Sequence, residues 1–244
     1  MKTAAPARRG FTLIELLVVM GILGLLVMLL MPAVNFAIQV AYRVATQQRI
    51  GRAEAGLAGF QGDWGCYPPS DRSHEFRDVA LTTTYGYKNL AVFLRGPQGT
   101  GWGGNADMSD PNDAGEVPSG GTSTVAYGPY FEGGTSGGIN DAFKPEMFIL
   151  YYRYEPSADP ASTTNAPFDF NDNKDKGFPD QGKLNLLVKR RGSGQYVRSD
   201  YVLISAGPDR RFGYWVGPDA NGNYTAATNY TGAYCDDVTN FKYE

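Results

Sequence analysis

Metal-binding and nucleophilic side chains are scarce in this sequence of 244 residues, which holds one histidine and two cysteines. A zinc site of four cysteines, or of two cysteines and two histidines, therefore cannot be built within one chain. A Ser-His-Asp or Cys-His arrangement would need His74, which lies in a polar run that is typical of a solvated loop. No pair of acids is marked by an apolar setting, as glycoside hydrolysis requires. We therefore expect a protein that is not an enzyme.

An excess of positive charge is also lacking. The chain has 22 Lys and Arg against 25 Asp and Glu, a net charge of −3, which argues against a nucleic-acid-binding face. The Gly-rich residues 99–104 match the pattern G-x-G-x-x-G. They are followed by a loop rich in Gly and Asp, whereas a dinucleotide site needs a helix there. We expect no nucleic-acid partner.

A long apolar run dominates the N-terminus. Residues 11–31 read FTLIELLVVMGILGLLVMLLM, with Glu15 as the one ionisable side chain. As a helix, this run would span about 31 Å, the thickness of a bilayer's hydrocarbon core. Residues 1–10 carry three basic residues and no acid, which places them in the cytoplasm and sends the rest of the chain across the membrane. The run is longer than a secretory signal needs, and no A-x-A cleavage site follows it.

The residues around this run resemble the prepilin signal of type IV pilins and type II secretion pseudopilins. The resemblance rests on RRG at residues 8–10 followed directly by FTLIELLVV. It implies that a prepilin peptidase cleaves between Gly10 and Phe11, on the cytoplasmic side, and that the new amine of Phe11 is methylated. It also implies that Pro32 bends or locally melts the helix in assembled fibres.

Glu15 lies four residues after Phe11, one helical turn away on the same face. A carboxylate inside a membrane span is costly, so it needs a partner. In a fibre of the resembling kind, the ammonium of Phe11 in an adjoining subunit would be that partner and would set the axial register. Alternatively, Glu15 sits near the headgroups at a helix N-terminus, where negative charge is favourable.

Beyond the membrane segment, apolar residues recur at three- and four-residue steps from Phe36 to Phe60. This spacing predicts that the helix continues as an amphipathic segment over residues 32–63, before Tyr67-Pro68-Pro69 stops it. A second, short helix is predicted at residues 87–95.

The rest of the chain predicts an α+β fold, in which an antiparallel sheet packs on the outer half of the long helix. β-branched and aromatic residues predict strands at 147–154, 183–189 and 196–205, with a turn at 191–194. Residues 96–138 contain 13 glycines, and they resemble an insertion, as do residues 157–182. The predicted organisation is a leader at 1–10, a transmembrane helix at 11–31, its amphipathic continuation at 32–63 and an extracytoplasmic pilin-like domain at 64–244.

Short segments of this domain resemble the major pseudopilin of type II secretion. They are CYPPS at 66–70, DAF at 141–143 ahead of YYRY at 151–154, YVLISAGPD at 201–209 and DDV at 236–238. The resemblance implies a structural subunit in the bacterial inner membrane, with its C-terminal domain in the periplasm or, when assembled, on the cell surface. It further implies polymerisation with copies of itself and minor pseudopilins, and contact with the inner-membrane secretion platform. A type IV pilus pilin, for adhesion, motility or DNA uptake, shares every N-terminal feature. A single-pass, anchored periplasmic protein that does not polymerise is a third interpretation.

In the resembling pseudopilins a C-terminal loop binds calcium, and the acids that match are Asp209, Asp236 and Asp237. Adjacent carboxylates repel each other, so a cation is expected nearby. Arg210 and Arg211 are the alternative source of that positive charge. A further acidic run, residues 169–175, lacks the turn glycine and the closing Glu of an EF-hand, and we expect a solvated polar loop there.

The two cysteines, Cys66 and Cys235, both follow the membrane segment, where thiols can oxidise. A disulfide between them would close a loop of about 170 residues and would contribute at most about 5 kcal/mol. Two buried thiols are the alternative, and the sequence does not decide between them.

Overall fold

The computed structural model describes residues 12–70, 85–96, 101–103, 125–133, 137–162, 166–197, 200–217, 223–231 and 233–241. Contacts divide the chain into two compact units, Met1–Ala41 and Tyr42–Glu244. Helix α1, Leu13–Trp64, contributes to both.

Helix α1 is 52 residues long and includes Pro32 within it, so the predicted continuation of the membrane helix is confirmed. Its length and composition are sufficient for it to cross a membrane. The predicted apolar face is only partly buried within the chain. Thr46 is the first buried position, whereas Phe36 is 70% exposed. The spacing of apolar residues shows which side of a helix is apolar, but it does not show where the covering residues begin.

The second unit contains a three-stranded antiparallel sheet. Its order is β3 (Leu150–Arg153), β4 (Tyr201–Ser205) and β7 (Val238–Thr239), with β4 in the centre. The strand predicted at 147–154 is confirmed at residues 150–153, and the one predicted at 196–205 is confirmed at residues 201–205. Four shorter strands form two separate pairs, β1 (Trp102–Gly103) with β2 (Val125–Tyr127), and β5 (Trp215–Val216) with β6 (Thr225–Ala226).

The two faces of this sheet belong to different hydrophobic clusters, because directly paired residues share a face and faces alternate along a strand. Tyr151 and Leu203 point to the side of α1 and of helix α2 (Gly86–Arg95), which we name the α1 face. Tyr152 and Val202 point to the opposite side, the α3 face, which is covered by helix α3 (Gln181–Val188). The antiparallel sheet thus packs on the outer part of α1, as predicted.

On the α1 face, the buried side chains of α1 recur at helical spacing: Ile50, Ala53, Leu57 and Phe60. Helix α2 packs beside them, and its bounds confirm the helix predicted at residues 87–95. Phe60 stacks edge-to-face on Phe93, with ring centroids 5.7 Å apart.

The strand predicted at 183–189 is wrong, because these residues form most of α3. The side chain of Asp180 accepts the N–H of Lys183 at 2.9 Å, which caps the first turn of the helix. Leu184, Leu187 and Val188 then place one apolar face on the sheet. The turn predicted at 191–194 is present. It reverses the chain between Lys189, at the end of α3, and Tyr196, and these two residues form an isolated antiparallel bridge.

Residues 170–173 form a 3₁₀ helix, and the expectation of a solvated loop is wrong for this segment. Asp172 and Asn173 are buried. The hydroxyl of Ser70 donates to Asp172 at 2.6 Å, and the Asn173 amide bonds both the N–H of Tyr87 and the carbonyl of Tyr151. These acids and amides therefore tie loops to α2 and β3.

Candidate functional site

The first turn of α1 contains a reciprocal cap. The Glu15 carboxylate accepts the backbone N–H of Thr12 at 2.8 Å and the Thr12 hydroxyl at 2.7 Å, while Oγ1 of Thr12 accepts the N–H of Glu15 at 3.3 Å. This T-x-x-E arrangement is a capping box, which satisfies N–H groups that a helix N-terminus leaves open. The sequence predicts a helix-terminal position for Glu15 as one alternative, but it does not predict Thr12 as the partner.

Both bonds from Thr12 reach the same oxygen of Glu15, Oε2. Within the described part of the chain, Oε1 accepts no hydrogen bond, so it can bind a further donor. The predicted cleavage and methylation positions, Gly10 and Phe11, lie outside the described residues.

Apolar side chains cover α1 on all sides over its first three turns and well beyond. The large apolar side chains from Leu13 to Met31 are each between 48% and 82% exposed in the single chain. Exposure continues past the predicted span, at Phe36, Ile38, Val40 and Val44. A contiguous apolar surface of this size is covered by lipid or by other protein chains in a functional protein.

One family model matches the chain, that of the prokaryotic N-terminal methylation motif, at residues 6–31. The N-terminus is a type IV prepilin-like signal. This finding supports a type IV pilin-like family, processing by prepilin peptidase, membrane anchoring through α1 and assembly into pilus-like fibres. No curated protein and no solved structure matches the chain.

The structure brings Asp209, Asp236 and Asp237 together, although 27 residues separate Asp209 from Asp236. The Asp209 N–H donates to Oδ2 of Asp236 at 3.2 Å, and the Gly213 N–H donates to Oδ2 of Asp237 at 2.7 Å. Gly207 permits this approach, because its φ is 66° and a Cβ there would collide with the carbonyl oxygen of Asp236. We name these three acids the acidic cluster.

Negative charge is unfavourable in the acidic cluster. Burial, and then the neighbouring Asp209 carboxylate, raise the pKa of Asp236 to about 6. Burial also raises the pKa of Asp237 well above its usual value. Oδ1 of Asp236 is buried and has no hydrogen-bond partner in the described part of the chain. A buried oxygen of this kind is satisfied by a cation or by an ordered water.

The two neighbouring arginines bind elsewhere. The Arg210 guanidinium donates to the carbonyl of Pro145 at 2.6 Å. The Arg211 guanidinium lies 4.0 Å from the centroid of the Tyr224 ring and 5.4 Å from that of Trp215. Within the described residues, neither guanidinium forms an ion pair with a carboxylate of the acidic cluster. Among the described residues, no group of three or more Asp, Glu, His or Cys side chains is placed so that it could hold a metal ion.

The structure does not join Cys66 to Cys235. Both are half-buried, and they pack in different places, Cys66 against the cluster on the α1 face and Cys235 against the cluster on the α3 face. Burial raises the pKa of the Cys66 thiol, which disfavours its reactive thiolate form.

Proposed function

We propose that this chain is a non-enzymatic structural subunit of a type II secretion pseudopilus, which prepilin peptidase matures and which polymerises through α1. The observation that carries this proposal is the extent of the exposed apolar surface on α1. From Leu13 to Val44 it covers about 48 Å of helix, whereas the hydrocarbon core of a bilayer is about 30 Å thick. Lipid therefore does not cover all of it, and the helices of neighbouring subunits would cover the remainder.

The choice of pseudopilus over pilus is supported by the resemblance of residues 66–70, 201–209 and 236–238 to a major pseudopilin. These segments hold the residues that follow α1, the central strand β4 and the acidic cluster. The proposed partners are copies of this chain, minor pseudopilins and the inner-membrane platform. The globular unit would then lie in the periplasm, or on the cell surface when assembled.

The decisive experiment is expression of the full chain in its own host, followed by shearing of the cells and electron microscopy of the released fibres. A pseudopilus subunit is expected to form fibres and to be required for export of secreted proteins. If a host that lacks this chain loses motility or DNA uptake but keeps secretion, the pilus alternative is favoured. A chain that is anchored but never enters fibres would contradict both.

A matched pair of variants tests whether the exposed apolar surface of α1 is an assembly contact. Phe36→Ser removes an exposed apolar side chain beyond the predicted span, and Gln47→Ser changes an exposed polar position on the same helix. We expect the first to reduce fibre yield and the second to leave it unchanged, with both proteins still inserted in the membrane. Equal yields would mean that this surface is not an assembly contact.

We also propose that the acidic cluster binds a calcium ion. The support is the unpartnered buried oxygen of Asp236, the adjacent carboxylate of Asp209 and the engagement of both arginines elsewhere. A hard cation with oxygen ligands would offset the repulsion between these carboxylates.

A further inference from the structure

The tripeptide Asn-Tyr-Thr occurs twice near the C-terminus, at residues 223–225 and 229–231. Both copies fit the pattern N-x-[ST], in which x is not proline, and this is the acceptor pattern for N-linked glycosylation. No other asparagine in the sequence has Ser or Thr two positions after it. The chain therefore has two such motifs, six residues apart, and no third.

Exposure alternates within each copy of the motif. Tyr224 and Tyr230 are half-buried, whereas the residues on either side of them are exposed: Asn223, Thr225, Asn229 and Thr231. The first copy leads into strand β6, which begins at Thr225 and pairs with β5. In both copies, the asparagine that would take a sugar and the threonine that the pattern requires are thus at the surface.

A guanidinium packs on the tyrosine ring of each copy. The Arg211 guanidinium lies 4.0 Å from the centroid of the Tyr224 ring, and that of Arg191 lies 4.1 Å from the centroid of the Tyr230 ring. A cation over an aromatic ring is a stabilising contact. The Tyr230 hydroxyl also donates to the carbonyl of Leu186 at 2.7 Å. These contacts hold the middle residue of each copy against the domain, while its two neighbours face solvent.

The second copy contains a turn that is closed by its own asparagine. Oδ1 of Asn229 accepts the backbone N–H of Thr231 at 2.9 Å, which is an Asx turn. N-linked glycosylation takes place at the other polar atom of this side chain, Nδ2, which donates no hydrogen bond within the described part of the chain. The turn uses the oxygen of an exposed asparagine, and the nitrogen remains for the reaction.

We propose that Asn223 and Asn229 are sites of N-linked glycosylation. In this reaction, Nδ2 of the asparagine forms a bond to C1 of a sugar that is activated as a diphosphate ester. The C1–O bond to the diphosphate breaks, the diphosphate leaves with the electron pair, and the amide releases one proton. The donor is a sugar linked through the diphosphate to a nucleotide or to a membrane lipid, and the same bond breaks in both. The inference goes beyond the proposed function and does not require polymerisation.

Mass spectrometry of peptides from the full chain, extracted from the membranes of its own host, tests the proposal. The peptides that contain Asn223 and Asn229 should carry added sugar mass, and this mass should survive alkaline β-elimination, which releases sugars from Ser and Thr. A single sugar would identify a nucleotide-linked donor, and an oligosaccharide would identify a lipid-linked one. Peptides without added mass at both positions would overturn the proposal.

Substitutions in the full chain assign the sugar to the asparagines. Asn223→Gln and Asn229→Gln should each remove the sugar from one site and leave the other site occupied. Thr225→Val should act as Asn223→Gln does, because the pattern needs a hydroxyl at its third position, whereas Thr225→Ser should keep the sugar. The control is Thr228→Val, at an exposed threonine between the two motifs, which should change neither site. Sugar that persists in the double Gln variant would be attached elsewhere and would overturn the proposal.

The glycopeptide measurement is independent of fibre assembly, so the two proposals can fail separately. Glycosylated protein that is anchored in the membrane and forms no fibres would contradict the proposed polymerisation and support the glycosylation. Fibres built from unmodified protein would support the polymerisation and contradict the glycosylation.

Discussion

Glu15 has one oxygen bound to Thr12 of its own chain and a second oxygen that accepts no hydrogen bond from the described residues. The capping box and the proposed contact with a neighbour's Phe11 amine are therefore compatible, since they use different oxygens of one carboxylate. The cap also holds the Glu15 carboxylate at the first turn of the helix.

Replacement of Glu15 by Val should leave membrane insertion and cleavage after Gly10 intact, yet sharply reduce fibre yield, because the apolar contacts remain while the charged contact is lost. Quantification of sheared fibre against total processed protein measures this effect. Glu15→Asp is the matched control, which keeps the charge and shortens the side chain. Wild-type amounts of fibre from Glu15→Val would rule out the register contact.

Removal of calcium should lower the melting temperature of the purified protein if the acidic cluster binds the ion. A ligand that binds only the folded state stabilises it by about 2.7 kcal/mol at a hundredfold excess over its Kd. Asp236→Asn combined with Asp237→Asn should make the melting temperature independent of calcium. Melting curves that do not respond to millimolar calcium or to chelator would exclude the ion from this cluster.

A side chain at Gly207 would interfere with the approach of Asp236 to Asp209. Gly207→Ala should destabilise the protein by at least about 1–2 kcal/mol, the cost of a left-handed conformation in an L-residue, before the collision with Asp236 is counted. Urea unfolding measures the change. Gly192→Ala provides the comparison, because Gly192 also has a positive φ of 83° but a Cβ there meets nothing within 4 Å.

At the scale of elements, α1 carries two different apolar surfaces. Phe60 is 1% exposed and packs against the rest of the second unit, whereas Phe36 is 70% exposed. Phe60→Ala should cost about 3–5 kcal/mol of folding stability. Phe36→Ala should leave the unfolding free energy of the single subunit unchanged, so that chemical denaturation of the two variants separates folding from assembly.

Helix α3 depends on Asp180 at its N-terminus. Asp180→Ala should cost about 1 kcal/mol, because the N–H of Lys183 loses its acceptor. Asp180→Ser should restore most of that stability, since a hydroxyl can serve as the cap. Equal stabilities of the Ala and Ser variants in urea unfolding would show that the cap contributes nothing.

At the scale of the whole molecule, cleavage by prepilin peptidase would change both the N-terminus and the charge. Removal of residues 1–10 would take away three basic residues and no acid, and the net charge would change from −3 to −6. The N-terminal peptide of membrane-extracted protein should begin with N-methylated Phe11, as mass spectrometry can show. An intact leader would indicate a plain membrane anchor.

Local signals predicted the elements that they control. The length of the apolar run at residues 11–31 predicts a membrane helix, and shorter apolar runs predict α2, β3 and part of β4. The apolar run of α3 fits a strand or a helix equally well, and Asp180 was the one local signal for the helix. The burial of Asp172 and Asn173 had no local signal, since their partners Ser70, Tyr87 and Tyr151 are distant in sequence.

The sequence by itself determined the prepilin-like signal and an apolar run long enough for a membrane helix, because these are properties of consecutive residues. Only the tertiary structure decided that Asp209 meets Asp236, that both arginines bind elsewhere and that Thr46 is the first buried position of α1. Each of these depends on which distant residues the packed chain brings together, and no run of neighbouring residues contains that information.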